Sequence, residues 1–161
     1  MTSHIDHPQF SPEQAEGLKP LPRKLLAAFR EAFPDLGHSE AVDRGTPLLT
    51  VPARHPESGD LRLWLQSDEV AIGVGERFHT HVATYLYDFA DLGAKEDAVV
   101  EEVIDYVRDV LADRVVMSAH ASNRWARMEH LEHAPTGPPE PDVIRLVWSG
   151  PFEPSASAES G

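Results

Sequence analysis

His79 and His81, separated by one residue in Phe78-His79-Thr80-His81, are the most specific chemical feature of this chain. Residues two apart in an extended strand point to the same side, so both imidazoles project together, as metal ligands or an acid/base pair must. A divalent metal at His79 and His81 needs at least a third ligand, and Glu76, Asp88 and His120 are the donors that folding would have to bring in. The simpler reading is two half-exposed sheet histidines hydrogen-bonded to neighbours, and the incomplete ligand set favours it.

The remaining constellations are also partial. Glu129-His130-Leu131-Glu132-His133 lacks the i, i+4 histidine pair with an intervening glutamate that marks a metalloprotease helix, and reads as a solvated strand end. His120-Ala121-Ser122 is a single His-x-Ser step of the sort that two-histidine phosphoesterases use twice, and one copy cannot flank a phosphate. Gly73-Val74-Gly75 has no helix opening behind it, so its glycines are expected to admit a close neighbour rather than cradle a phosphate. Arg124-Trp125-Ala126-Arg127 reads as a packed tryptophan between solvated arginines. Cysteine is absent, which removes thiolate zinc sites, disulfide frameworks and cysteine nucleophiles together and suits a reducing compartment. No catalytic set is complete, so no catalytic residue is assigned and binding is favoured over catalysis.

Charge is the one global anomaly. The balance of 27 acidic against 14 basic residues, −13 in all, repels phosphate backbones and anionic lipid and attracts a basic protein. Nucleic acid and membrane are therefore not expected as partners, whereas a protein with a basic surface is. The charge is densest over residues 95–113, where Glu96, Asp97, Glu101, Glu102, Asp105, Asp109 and Asp113 are opposed only by Lys95 and Arg108. Val99, Val100, Val103, Ile104, Val107 and Leu111 form an apolar stripe at helical spacing in the same segment. A helix with its valine side on a sheet and its acidic side outward is predicted, and Glu101, Glu102, Asp105 and Asp109 are the expected partner-binding residues.

The elements that must position these groups follow from periodicity. Ser11-Pro12-Glu13-Gln14 predicts a capped turn, and Leu25, Leu26, Phe29 and Phe33 predict a helix over 21–33 that Pro34 ends. Alternating runs predict strands over 48–51, 61–66, 70–74 and 78–87, then, after the long helix, over 114–119, 124–128 and 143–148. Without βαβ alternation this is an α+β fold, an antiparallel or mixed sheet of about six or seven strands with two main helices packed on one face. A single domain is expected over 20–152, after a polar segment over 1–19 and before a disordered tail over 153–161, with 134–141 as a proline-rich linker. Residues 1–10 lack the features of a secretion signal and no run of about 18 apolar residues occurs, so the cytoplasm is the expected location. Ala/Arg/Asp/Glu-rich usage suggests a bacterial source.

The leading helix, the strands ending in Gly-x-Gly, the Phe-His-Thr-His step, the long amphipathic helix and the closing strands together resemble small bacterial α+β proteins of the immunity-protein type, over residues 21–148 with 72–81 as the motif-like part. The resemblance implies a cytosolic inhibitor that covers the active site of a toxin, commonly a basic nuclease. It assigns no role to any residue, and marks only His79-Thr80-His81. Two alternatives stay open: a metal-dependent enzyme or sensor using His79 and His81, and a structural homodimer or larger homo-oligomer joined through an open sheet edge or the bare Ala71-Gly73-Gly75 face.

Overall fold

Ser11 accepts from Gln14 N at 3.1 Å while the Gln14 side chain accepts from Ser11 N at 2.8 Å, a reciprocal cap that opens α1 (Pro12–Glu16). The computed structural model in which this cap lies describes residues 7–88 and 91–152; the expected tail over 153–161 falls outside them. Helix α2 (Pro20–Ala32) starts on proline without a side-chain cap, so its stability comes from burying Leu21, Leu25, Leu26 and Phe29. Helix α3 (Leu92–Leu111) starts three residues earlier than its apolar stripe indicates, because the Asp91 carboxylate accepts from Ala94 N at 3.0 Å. At its other end Asp113 takes φ +59°, with Asp113 N bonded to Val110 O and Arg114 N to Asp109 O, a closure in which glycine is the usual occupant. The Asp113 carboxylate accepts from Ser149 N at 2.9 Å and from its hydroxyl, and so ties the helix end to the turn before the last strand.

The strands are β1 (Ser39–Asp43), β2 (Thr46–Val51), β3 (Leu61–Leu65), β4 (Glu69–Val74), β5 (Phe78–Ala83), β6 (Val115–His120), β7 (Ala126–His130), β8 (Val143–Val147) and β9 (Gly150–Pro151). They form two sheets, ordered β1-β2-β3-β4-β5 and β7-β6-β8-β9, in place of the single sheet expected, and every pairing is antiparallel. The division has a local cause. The strand expected to run to 87 stops at Ala83, where Thr84 donates its N–H and hydroxyl to Asp68 O and turns the chain into a 3-10 turn, Thr84–Leu86. The chain returns from α3 as β6, which pairs with β7 and β8 and not with β5.

Period 2 sets the inner face of the first sheet. Leu61, Leu63 and Leu65 pair with Val74, Ile72 and Val70, and all six are buried. Helices α2 and α3 pack on each other and on this face, α3 through Val99, Val103, Ile104, Val107 and Val110. Val115, Met117 and Ala119 of β6 extend the same core. Their alternates Val116 and Ser118 face the other way, where Val116 meets Val147 and Ala134 in a second small cluster. Residues 134–141 thus begin on the outer face of the second sheet. Before Pro20, Phe10 is buried and Ala15 and Leu18 pack on the core, while Glu40 N donates to Pro8 O at 2.7 Å, so this polar segment is attached to the domain.

Candidate functional site

His79 and His81 project from the same side of β5, opposite Gly73 and Ala71 of β4, with ring centroids 5.6 Å apart and planes perpendicular. Both lie on the face of the sheet away from the helices and are exposed. A carboxylate, Glu69, comes beside one of them, its Oε1 3.3 Å from His81 Nδ1. Glu76, Asp88 and His120 do not complete a site: among the described residues no three histidine, aspartate or glutamate side chains are grouped so as to hold a metal ion. His120 is occupied locally, its Nδ1 2.5 Å from the Ser122 hydroxyl and accepting from Ser122 N at 3.1 Å.

The glycines on this side are not bare. A Cβ on Gly73 would lie 2.8 Å from the Trp64 ring, which crosses β4 at that point. Gly75, at φ +62°, lets the β2–β3 loop approach so closely that a Cβ would lie 2.7 Å from Ser58 O. The Gly73 and Gly75 positions of the face named as one alternative surface for a second copy are thus covered by the chain's own tryptophan and loop. A cleft of about 600 Å³ opens beside this loop, but its one arginine, Arg77, is bonded to Asn123.

The acidic helix face is different. Glu101, Glu102, Asp105 and Asp109 recur at turn spacing along α3 and, with Tyr106, form one wall of a groove of about 370 Å³; Tyr87 and His130 form the opposite wall. Tyr87 donates its hydroxyl to Glu102. Asp109 lies 3.4 Å from Arg114 and 3.6 Å from His130 Nδ1, and Asp105 is 2.9 Å from Arg108. Three of the four expected contact residues thus have side-chain partners inside the chain, whereas the Glu101 side chain makes no ion pair or hydrogen bond among the described residues. The Asp105–Arg108 pair is 62% and 55% exposed, and exposed pairs of this kind are worth about 0–1 kcal/mol, little enough for an incoming cation to replace them.

Tyr106 packs edge-on to His130, centroids 5.8 Å apart. Burial, and next the Asp109 charge, push its hydroxyl up from the ordinary 10.0 to about 12. Four carboxylates and two phenol rings lining one groove suit a guanidinium or ammonium group, which pairs with the former and stacks on the latter. Sequence reading found the carboxylates but not Tyr87, Tyr106 or His130. The available signal was Tyr106, four residues after Glu102 and three before Asp109, hence on the border of the acidic face.

Comparison of the chain with protein-family models, with curated proteins and with solved structures returned no match.

Proposed function

We propose that the protein is a binding module for a protein partner with a basic surface, and that an arginine or lysine of that partner enters the groove between α3 and the Tyr87/His130 wall. The observation that carries this reading is the convergence of Glu101, Glu102, Asp105 and Asp109 with two tyrosines around one groove. The net charge of −13 adds a long-range field of the same sign, which speeds encounter with a cationic surface. The concrete form of such a module is an immunity-type inhibitor that covers a basic toxin, as the sequence resemblance implies. No catalytic residue enters the proposal. The metal reading of His79 and His81 lacks its third ligand, and no observation favours a homodimer.

The test is a binding titration with an arginine-rich peptide and its citrulline counterpart, each at low and high salt. The arginine peptide should bind the protein more tightly at low salt and the citrulline peptide hardly at all. Replacing the four carboxylates together (Glu101→Gln, Glu102→Gln, Asp105→Asn, Asp109→Asn) should weaken binding by about tenfold or more and flatten its salt dependence. Unchanged affinity in that variant, with folding intact by circular dichroism, removes the groove as the contact.

A further inference from the structure

Helices α2 and α3 lie side by side and run in the same direction. Lys24, early in α2, pairs with Asp97 at 3.0 Å, and Phe33, at the end of α2, lies under the Arg108 guanidinium at 6.0 Å. Between those two contacts the helices leave a groove of about 560 Å³, on the flank of α3 away from Tyr87 and His130. Its floor is apolar and half-buried, Ala28 and Ala32 one turn apart on α2 against Val100 of α3. Both rims are acidic, with Glu31 on α2 and Glu101 and Asp105 on α3. Glu101 and Asp105 also line the tyrosine groove, so they form a ridge between the two.

Helices packed side by side commonly set opposite charges across their shared edge. Here the chain's own cations stand at the two ends, Lys24 with Glu96 and Asp97, and Arg108 with Asp105. The Glu31 and Glu101 side chains between them make no ion pair or hydrogen bond among the described residues. Like charges on facing rims repel, and a cation from outside relieves both at once. The alanines keep the floor low, so an aliphatic side chain, or the stem of an arginine, can rest there with its head group at a rim.

The shape of the occupant follows from the walls. Every residue of the lining belongs to α2 or α3, and helices use their backbone N–H and C=O groups internally except at their ends. An extended segment laid here would leave most of its own backbone groups unmatched, whereas a helix satisfies them itself. From Asp97 to Arg108 the groove runs ~17 Å, about three helical turns. A second copy of this chain is a poor occupant, because its charge of −13 has the same sign as the rims. We infer that the α2–α3 groove receives an amphipathic helix of the basic partner, its apolar stripe on Ala28, Ala32 and Val100 and its arginines or lysines on Glu31 and Glu101. This rests on the partner being cationic, as proposed above, and adds the form of the contact: a helix on one flank of the ridge and a single side chain on the other.

The test uses a synthetic peptide of about five turns, ~18 residues, with leucine and alanine on one helical face and arginine along both borders. Its control carries the same charge and two central prolines, which break the helix. Titrated into the full chain at low salt, the helical peptide should bind about tenfold or more tightly than the control and should shift the methyl signals of Ala28, Ala32 and Val100. Glu31→Lys, which alters this groove and not the tyrosine groove, should weaken the helical peptide about tenfold and the control little. Equal affinity of the two peptides, with shifts confined to Tyr87, Tyr106 and His130, overturns the helix and leaves the tyrosine groove as the contact. Tight binding of the helical peptide with the three methyl groups unmoved, or unaffected by Glu31→Lys, overturns it as well. Binding of neither peptide removes both this inference and the cationic partner on which it rests.

Discussion

Arg30 grips Glu40 with both ends of its fork, Nε to Oε2 at 3.0 Å and Nη2 to Oε1 at 2.5 Å, across the gap between α2 and β1. The Glu40 side chain is fully buried, and it also accepts from Phe10 N and contacts His38 Nε2, each at 2.8 Å. One carboxylate thus fastens the N-terminal segment, α2 and the edge strand of the first sheet. Burial pushes its pKa up, but the hydrogen bonds from Arg30, His38 and the Phe10 amide outweigh that, and it is held below the ordinary 4.5.

A carboxyl titrating lower in the folded than in the unfolded chain adds stability that is present above the unfolded value and lost as pH falls through the folded one. Glu40→Gln should therefore cost about 2–4 kcal/mol in urea denaturation at neutral pH, by leaving Arg30 and the Phe10 amide poorly matched. The gap between the two proteins should shrink as pH is lowered past 4.5. A gap independent of pH contradicts the assignment.

Two glycines with left-handed backbone should respond unequally to alanine. Gly45, φ +82°, closes the β1–β2 hairpin and has nothing within 4 Å of a new methyl group, so Gly45→Ala should lose about 1 kcal/mol for conformation alone. Gly75→Ala meets backbone that cannot swing aside, Ser58 O at 2.7 Å, and should lose about 2–4 kcal/mol in thermal or urea unfolding. Equal losses at both positions contradict the close packing of loop on turn.

Tyr106 supplies an alkaline test of the groove. Its folded-state value of about 12 lies above the ordinary 10.0, so the stability linked to it is complete below 10 and disappears as pH rises through 12. Phenolate absorbance during a pH titration should show a late-titrating tyrosine that Tyr106→Phe abolishes. In Asp109→Asn that step should move to lower pH, because the charge opposing phenolate formation is gone. An unmoved step in Asp109→Asn means that burial alone sets it.

The elements with a strong period were legible. Leu61, Leu63 and Leu65 announce β3 by alternation, and the valine stripe of α3 announces a helix laid on a sheet. Strand β1 was not, because its one buried residue is Glu40, a charge whose partners come from α2 and from Phe10, and because its hairpin turns on Arg44-Gly45 in place of a familiar Asn-Gly or Asp-Gly pair. The split into two sheets depends on Thr84 bonding to Asp68, a contact between segments that local pattern does not encode. At the sites the same division holds. The shared side of His79 and His81, and the acidic face of α3, follow from spacing within one element. The tyrosines and the histidine that line the groove with that face come together only once α3, the segment after the 3-10 turn and β7 are packed.

Entry of a cationic side chain into the α3 groove, as proposed, would perturb the aromatic rings that line it. Nuclear magnetic resonance of the aromatic rings, followed while an arginine-rich peptide is added, tests it at the residues concerned. The signals of Tyr87, Tyr106 and His130 should move together and saturate at the affinity found by titration, while that of Trp64, on the opposite face of the first sheet, stays still. Saturable binding that leaves those three rings unmoved, or that moves Trp64 in their place, excludes the groove as the contact.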